Sequence, residues 1–356
     1  MLPFFYDRYS FVCLFTQTPD MQFGIIGSGS WATAIAKILT DNGNNILWLF
    51  RNEKVITHVK HRKHNPQYLS QVYFNTNQLT LSSNIEEVVK TCNAIIIAVP
   101  SAYAEDVLDA LPRNAFDGKK VVSAIKGILP GSNQLLNEFL IDKFSFNSQN
   151  YFTILGPCHA EEVASEKLSY LTFSGIDETE TKNIAGFFKT DYINVITNTD
   201  IMGVQYAAVM KNIYALGAGI AHGLEYGDNF LSVYIANCAH ELAVFSKHLM
   251  WDENDTEEQN IVNYATSVYL GDLLVTCYSL YSRNRTFGNM IGKGYSVKTA
   301  QLEMNMVAEG YNASKCIHKT NETVKAEIPI VDTIYQILWE HLPAEEGFKK
   351  IENILK

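Results

Sequence analysis

The hydrophobic positions in the first half of the chain fall into short continuous runs, which polar or glycine-rich segments separate. Such runs are typical of strands buried on both faces, as in a parallel sheet covered by helices. The predicted strands are 22–26, 44–50, 94–101, 120–127, 151–155, 168–174 and 193–197. A short helix from Asn84 to Cys92, with Ser82 or Ser83 as its N-cap, is also predicted. The pattern indicates an α/β domain with a parallel sheet that ends near residue 200.

From Gly203 onward the pattern changes to long helices. The segment 203–223 is apolar on nearly every side, which is typical of a helix at the centre of a bundle. Amphipathic segments follow it to Lys356. We therefore predict an all-α domain over 203–356, packed directly against an α/β domain over 21–202, with the cleft between them.

The first twenty residues are aromatic-rich, but Asp7 and Arg8 interrupt them before a long apolar run forms. They lack the pattern of a signal peptide and are too short and too charged to span a bilayer. Because Met21 directly precedes the first predicted strand, we interpret 1–20 as an extension, disordered or an artefact of start-site choice.

The composition is that of an ordinary globular protein, with 47% hydrophobic and 19% charged residues among 356. The formal charge of −10 argues against a nucleic-acid-binding protein, whose binding surface would be basic. The basic run at 60–64 is most simply interpreted as a solvated helix face. The rest of the region 55–81 shows few signals of regular secondary structure.

Six cysteines are scattered through the chain without a C-x-x-C pair. This spacing is typical of neither a zinc site nor a disulfide framework, so we predict no bound metal and a cytoplasmic location. No later segment approaches transmembrane length, and stable membrane insertion is not expected.

The first strand leads into a glycine turn and an alanine-rich helix, with the pattern Gly27-x-Gly29-x-x-Ala32. In the dinucleotide fingerprint, the first glycine permits the tight turn and the second lets the backbone approach a pyrophosphate. A small third residue lets the helix pack closely on the strand. The alternative is an ordinary glycine turn in a βα unit. The strand–turn–helix context favours dinucleotide binding at Gly27 and Gly29.

The second predicted strand ends at Arg51, where a dinucleotide fold usually carries an acidic residue for the ribose 2′-hydroxyl. Arginine at this position suggests stacking on adenine or tolerance of a 2′-phosphate. NADP(H) is therefore as acceptable a cofactor as NAD(H). Glu53 is a weaker candidate for the acidic residue.

The strand 94–101 ends at Pro100-Ser101, which should border the cofactor because ligands of open α/β sheets bind beyond the carboxyl ends of the strands. Two later strands also end in residues that could bind a ligand. Lys126 lies at the end of the strand 120–127, where it is either a surface lysine or part of a ligand site. After the strand 151–155, Gly156 begins a turn whose free N–H groups could bind a substrate anion. The neighbours Cys158 and His159 raise the alternative of a Cys/His nucleophile, which their adjacency at a helix start disfavours.

The helical half holds charged residues in apolar surroundings. Lys211 lies inside the central helix, where loss of hydration should lower its pKa toward a range useful for proton transfer, unless it reaches water or forms a plain ion pair. Asp272 could hold Lys211 in place or merely cap a helix. The side chains of Ser282, Arg283 and Asn284 suit a phosphate monoester, although exposed arginines in a helix connection would have the same sequence.

Taken in order, these segments resemble NAD(P)-dependent glycerol-3-phosphate dehydrogenase of bacterial type. The matching stretches are 27–31, 125–127, Gly156-Pro157 with Ala160, 209–212, 271–273 with Thr276, 282–285 and 307–310. The resemblance implies a Rossmann-type parallel sheet domain followed by an all-α domain like the C-terminal domain of 6-phosphogluconate dehydrogenase, commonly as a homodimer. It also implies reversible reduction of dihydroxyacetone phosphate to sn-glycerol 3-phosphate, a precursor of membrane phospholipids, with NAD(H) or NADP(H).

The resemblance assigns roles to individual residues. Lys211 resembles the catalytic acid/base. The implied substrate contacts are Lys126, Gly156, Cys158, Lys211, Asp272, Ser282, Arg283 and Asn284. Besides Gly27 and Gly29, the implied cofactor contacts are Ser30, Trp31, Arg51, Lys126, Ala160, Arg283, Val307 and Glu309.

Two positions depart from the family pattern. Ala32 stands where glycine is usual, which the requirement for a small residue tolerates. Cys158 stands where serine or threonine is usual, so a hydroxyl contact is replaced by a thiol or by a backbone N–H alone.

Two other functions fit parts of the sequence. An enzyme of the same two-domain plan could act on another hydroxy acid or sugar acid, although Lys126 and the 282–284 cluster favour a phosphate. A module that only senses NAD(P)H would need neither Lys211 nor Asp272.

Overall fold

The computed structural model describes residues 21–250, 263–304 and 308–356. The predicted extension, 1–20, lies outside these residues and stays a prediction.

One sheet of eight strands forms the first half of the described chain. The strands are β1 Phe23–Ile26, β2 Ile46–Leu49, β3 Leu79–Ser82, β4 Ala94–Ile97, β5 Lys120–Ser123, β6 Tyr151–Leu155, β7 Ser169–Gly175 and β8 Ile193–Asn198. Their order in the sheet is β3-β2-β1-β4-β5-β6-β7-β8. The direction of winding reverses between β1 and β4, and ligands of open α/β sheets bind beyond the carboxyl ends of the strands at such a switch point.

The sheet departs from the predicted parallel arrangement at one pair of strands. All neighbours pair in parallel except β6 and β7, which pair antiparallel with Phe152 opposite Gly175. Antiparallel pairing fits the connection, because its helix has only five residues and no full crossover helix carries the chain back across the sheet. β7 and β8 therefore extend the sheet as a parallel pair of opposite direction.

Helices cover both faces of the sheet. They are α1 Ser30–Asp41, α2 Glu53–Arg62, α3 Ile85–Thr91, α4 Ser101–Leu108, α5 Leu136–Phe144, α6 Ala160–Ala164 and α7 Glu178–Gly186. The strands β1, β2 and β4 are buried at every position, which explains their continuous apolar runs. Of the basic run predicted as a helix face, 60–64, residues 60–62 form the exposed last turn of α2, whereas Lys63 is its C-cap in the left-handed conformation and His64 lies beyond the helix.

The start of α3 corrects one prediction. Its N-cap is Asn84, whose side chain accepts hydrogen bonds from the backbone N–H groups of Glu86 and Glu87. Ser82 is instead the last residue of β3. The predicted serine cap was wrong because asparagine, an equally good cap, lies directly before the helix.

The second half of the described chain is helical. Its helices are α8 Ile201–Gly223, α9 Asp228–Met250, α10 Asp272–Tyr278, α11 Arg283–Gly292, α12 Val297–Glu303, α13 Glu309–Val324, α14 Pro329–Trp339 and α15 Ala344–Ile354, with a π-helical turn at Ser267–Gly271 before α10. The predicted domain boundary after residue 202 falls within the first turn of α8 and stays a prediction.

The helix α8 is the centre of this half. It is buried without interruption from Gly203 to Ala221 and contacts α9, α10, α11, α13 and α14. Against α11 the contact is backbone to backbone. A Cβ on Gly219 would lie 2.0 Å from the Arg285 carbonyl oxygen, and one on Gly288 would lie 1.9 Å from that of Leu216. Glycine is therefore required on both sides of this contact.

Candidate functional site

A cavity of about 490 Å³ opens at the carboxyl edge of the sheet, where the helical half faces it. Most of the predicted site residues line it, namely Gly29, Ser30, Trp31, Arg51, Lys126, Cys158, Ala160, Lys211, Asp272, Ser282, Arg283, Asn284 and Glu309. Residues from both halves, separated by up to about 280 positions in sequence, therefore meet at one site. Their individual roles remain predictions.

The glycine turn has the geometry that the fingerprint requires. Gly27 has φ +125°, and a Cβ there would lie 2.4 Å from the Ala98 carbonyl oxygen. Gly29 lines the cavity, and a Cβ built on it would meet no protein atom within 4 Å. That open approach fits a pyrophosphate at the start of α1, where the first turn presents free N–H groups. The buried indole Nε1 of Trp31, which has no partner within the described chain, adds a donor there.

Lys211 projects from α8 into the cavity while its side chain is only 4% exposed. Its Nζ lies 2.5 Å from Oδ1 of Asp272, at the start of α10, and donates to Oγ1 of Thr276 at 3.3 Å. Of the two alternatives for Asp272, the structure shows the one in which it holds Lys211.

Burial is the main reason why the pKa of Lys211 falls from 10.5 to about 8. Asp272 opposes this shift, and the positive charge of Lys126 adds to it. An ammonium with a pKa near 8 can donate and regain a proton close to neutral pH. The second carboxylate oxygen of Asp272, Oδ2, is buried and has no hydrogen-bond partner in the described residues.

The predicted phosphate-binding cluster begins α11. Ser282 is its N-cap, with Oγ accepting a hydrogen bond from the Arg285 N–H at 3.3 Å. Ser282, Arg283 and Asn284 all line the cavity, so the N-terminus of α11 borders it. A helix N-terminus with a guanidinium and a hydroxyl is a suitable environment for a phosphate dianion.

Asn284 also makes hydrogen bonds between helices that the sequence did not predict. Its Nδ2 donates to Oδ1 of Asn212 at 3.0 Å, and its Oδ1 accepts from the Gly310 N–H at 2.8 Å. Asn212 in turn donates to the Lys126 carbonyl oxygen at 2.9 Å. This amide chain connects α8, α11 and α13 to the loop after β5, which leaves one N–H of Asn284 for a ligand.

The two residues after Pro157 are not a nucleophile pair. Burial raises the pKa of the Cys158 thiol to about 12, which strongly favours the thiol over the thiolate at neutral pH. Burial, assisted by Lys126 and Lys211, lowers the pKa of His159 to about 4. The neutral thiol and imidazole line the cavity without the charge that a Cys/His pair requires.

Three of the predicted site residues, Gly27, Gly156 and Val307, are not among the described residues that line the cavity. Gly27 and Gly156 both have positive φ angles that favour glycine, and a Cβ on Gly156, at φ +116°, would lie 2.9 Å from the Tyr170 carbonyl oxygen. Val307 lies outside the described residues. Glu309 does line the cavity, but its carboxylate accepts hydrogen bonds from the backbone N–H of Ser101 at 3.1 Å and from the Ser101 hydroxyl at 2.5 Å.

Sequence reasoning missed several lining residues. These are Tyr68, Ala98, Val99, Tyr103, Ala124, His159, Glu161, Asn212, Thr276 and Tyr281. Asn212 and Thr276 lie in stretches that carried the resemblance, and Pro100, which was expected to border the cofactor, also lines the cavity. Tyr68 and Tyr103 had no signal, because a single aromatic residue in an irregular or amphipathic segment has many explanations.

The described ranges contain no group of three or more His, Cys, Asp or Glu side chains that could hold a metal ion. Among the helices of the same ranges, none combines the length and the apolarity needed to cross a bilayer.

Two family models match the chain. The model for the N-terminus of NAD-dependent glycerol-3-phosphate dehydrogenase covers residues 22–181, and the model for its C-terminus covers 200–349. A protein of Oceanobacillus iheyensis named glycerol-3-phosphate dehydrogenase (NAD(P)+) is 32% identical over 334 residues, which is 93% of this chain and 94% of that protein. A protein of Chlorobium phaeobacteroides with the same name is 32% identical over 335 residues, or 94% and 98% of the two chains.

The fold has a close counterpart among solved structures. The crystal structure of glycerol-3-phosphate dehydrogenase from Coxiella burnetii superposes with a TM-score of 0.83 at 24% identity, covering 93% of this chain and 98% of that one. Both halves and nearly the full length of the relatives are thus matched in sequence. The chain belongs to the NAD-dependent glycerol-3-phosphate dehydrogenase family.

Proposed function

We propose that this protein is an NAD(P)-dependent sn-glycerol-3-phosphate dehydrogenase, which reversibly reduces dihydroxyacetone phosphate. The observation that carries the proposal is the buried ammonium of Lys211, which lines one cavity with the glycine turn and the Ser282–Asn284 cluster. Family membership supports the same substrate.

Lys211 is the proton donor in ketone reduction. NAD(P)H, when bound, would supply the hydride for C2 of the ketone. The Lys211 ammonium donates its proton to the oxygen on which negative charge develops, and the neutral amine takes the proton back in the oxidation direction. Asp272 fixes the orientation of Nζ at 2.5 Å, and its unpartnered Oδ2 can accept a hydrogen bond from a substrate hydroxyl.

The phosphate of the substrate binds at the start of α11. Arg283 and the Ser282 hydroxyl contact it, and the remaining N–H of Asn284 completes the donors. Because α11 is held against α8 by backbone contact, a phosphate bound there keeps the ketone at a fixed position relative to Lys211. Lys126 lines the same cavity, and its Nζ lies 5.3 Å from the centre of the Trp31 ring, beside a proposed cofactor contact.

The glycine turn would hold the pyrophosphate of the cofactor, and Arg51 would hold its adenosine. This exposed arginine follows β2 and lines the cavity, in the position where a carboxylate would favour NAD(H). We propose that both NAD(H) and NADP(H) are accepted. Ser30, Trp31, Ala160, Val307 and Glu309 are the further proposed cofactor contacts.

The remaining proposals concern the setting of the enzyme. The five described cysteines are buried free thiols, which supports a reducing, cytoplasmic location. We propose that the enzyme acts as a homodimer, without nucleic-acid partners, and supplies glycerol 3-phosphate to phospholipid synthesis.

The test is an assay of NADH and NADPH oxidation with three substrates. Dihydroxyacetone phosphate should support turnover, while dihydroxyacetone and a 2-keto acid of similar size should be much poorer substrates, because neither offers a phosphate to α11. Turnover with the 2-keto acid alone would favour the hydroxy-acid alternative. Binding of NADH without oxidation by any substrate would favour the sensing module.

A further inference from the structure

Each carbonyl oxygen of the glycine turn accepts a hydrogen bond from a buried donor. The indole Nε1 of Trp48 donates to the Gly27 carbonyl at 2.7 Å, and Nδ2 of Asn65 donates to the Ser28 carbonyl at 3.0 Å. The Gly29 carbonyl accepts from the backbone N–H and from Oγ1 of Thr33, both at 2.9 Å. Three consecutive carbonyls of the turn therefore accept hydrogen bonds from within the protein.

The donors Trp48 and Asn65 belong to the interior and not to the cavity. Trp48 lies in β2 with 0% exposure, and Asn65 follows α2 with 1% exposure. Neither lines the cavity that Gly29, Ser30 and Trp31 face. A carbonyl oxygen that accepts from a buried donor points toward that donor, so the Gly27 and Ser28 carbonyls point into the protein.

This orientation matters because an anion is repelled by carbonyl oxygens and attracted by N–H groups. A turn of the backbone that presents N–H groups to a phosphate must turn its carbonyls away from it. Gly27, with φ +125°, has the freedom to rotate its peptide either way, and the sequence of the turn alone does not decide which way. An external donor at each carbonyl decides it.

We propose that Trp48 and Asn65 are positioning residues for the cofactor, which hold the carbonyls of the glycine turn inward so that its N–H groups face the pyrophosphate. This inference rests on the proposed function, in which the turn binds NAD(P)H. Neither residue touches the cofactor.

The other hydrogen bonds of the Asn65 side chain fix its amide in the orientation that this role requires. Its second contact is from Nδ2 to Oγ1 of Thr33 at 2.9 Å, and its Oδ1 accepts from the Gln67 N–H at 3.0 Å. It therefore ties the Ser28 peptide to the first turn of α1 and fixes its own orientation through the chain that follows. An aspartate at this position could accept from Gln67 but, as a carboxylate, could not donate to Ser28.

The experiment compares Asn65→Ala and Trp48→Phe with the matched control Asn44→Ala. Trp48→Phe removes the indole N–H but keeps an aromatic ring in the core. In the control, Asn44 donates from Nδ2 to the Leu39 carbonyl at 3.1 Å, so that variant removes the same kind of bond at the opposite end of α1. Isothermal titration with NADH, ADP-ribose and adenosine is carried out on the four proteins.

Asn65→Ala and Trp48→Phe should each weaken NADH and ADP-ribose about three- to tenfold, the effect of one neutral hydrogen bond. Adenosine, which lacks the pyrophosphate, should bind all four proteins equally. Turnover at saturating NADH should stay within about twofold of wild type, since the turn does not contact the reacting atoms. Asn44→Ala should bind all three ligands as wild type does.

Two outcomes would overturn the carbonyl proposal: unchanged affinity for ADP-ribose in both variants, or an equal loss for adenosine, which would indicate general damage to the domain. If Asn65→Ala does not fold, the Trp48→Phe result decides alone. Failure of the wild-type protein to bind NADH would instead overturn the proposed function on which the inference rests.

Discussion

Two lysine–aspartate pairs in this protein have the same distance between their charged atoms, but the pKa of the lysine is shifted in opposite directions. Lys37 in α1 and Lys211 in α8 each have Nζ 2.5 Å from an aspartate oxygen, of Asp41 and Asp272 respectively. Burial tends to lower the pKa of both lysines, but for Lys37 the carboxylates of Asp41 and Glu166 outweigh it and the pKa is raised. For Lys211 one carboxylate does not outweigh burial, and the pKa falls to about 8.

The surroundings of the pairs explain the difference. Lys37 has two carboxylate partners, at 2.5 and 2.9 Å, and both stay hydrated and charged because Asp41 is 37% and Glu166 63% exposed. Asp272 is 2% exposed, and the positive charge of Lys126 also acts on Lys211. An ion-pair distance therefore does not identify a catalytic lysine, whereas the balance of desolvation and nearby charge does.

Removing each ammonium should give the largest contrast. Lys211→Ala should lower turnover with dihydroxyacetone phosphate by about 10²–10⁴-fold, the usual contribution of a positioned acid, and leave NADH binding intact. Lys37→Ala, the matched control, should change turnover by about twofold or less, because Lys37 does not line the cavity. Steady-state kinetics and NADH titration measure both. Near-normal turnover of Lys211→Ala would contradict the role of Lys211.

The pH dependence should reveal which lysine titrates during turnover. Ketone reduction requires the protonated form of Lys211, so kcat/KM should be level below the pKa of about 8 and fall about tenfold per pH unit above it. Oxidation of glycerol 3-phosphate requires the neutral amine and should rise over the same range. The raised pKa of Lys37 keeps that residue charged throughout. A reduction rate that increases from pH 7 to pH 9 would exclude Lys211 as the acid.

Neutralising the partner carboxylate should sharpen the contrast further. Asp272→Asn removes the charge that opposes desolvation, so the pKa of Lys211 should fall further and reduction at pH 7.5 should decrease by roughly tenfold. The apparent pKa in the kcat/KM profile should move to lower pH. Asp41→Asn should leave the profile where it is. Identical profiles for Asp272→Asn and wild type would separate Asp272 from the proton transfer.

The smallest effect should come from the exposed partner of Lys37. Glu166→Gln removes an ion pair of 2.9 Å whose carboxylate is largely in water, and should lower the free energy of unfolding by about 1 kcal/mol or less. Urea denaturation at two salt concentrations measures it. A loss of several kcal/mol would mean that this pair resembles the buried one.

Much of the fold was predictable because its signals are local. The buried strands are continuous apolar runs, and α8 is apolar on nearly every side, which one segment suffices to show. The strand β3 was missed, since it is short, lies at the edge of the sheet and has only Ser82 fully buried. The antiparallel pairing of β7 depends on how its connection packs, which no pattern within the strand specifies.

The site was predictable to the extent that its chemistry lies in short motifs. Lys211, Asp272 and the 282–284 cluster stand out as charges in apolar segments or as grouped donors. The contacts of Trp48 and Asn65 with the glycine turn were not predictable. Trp48 looks like any strand residue, and Asn65 follows a basic run, while both act across more than twenty positions of sequence.

The glycine contact between α8 and α11 has a consequence for altering the substrate range. Main-chain atoms set the spacing between Lys211 and the phosphate site proposed at the start of α11, so resizing neighbouring side chains cannot lengthen it. Engineering toward a longer polyol phosphate must therefore rebuild the loop before α11 at Ser279–Ser282, whereas Gly219→Ala or Gly288→Ala should push the helices apart and abolish turnover on the native substrate as well.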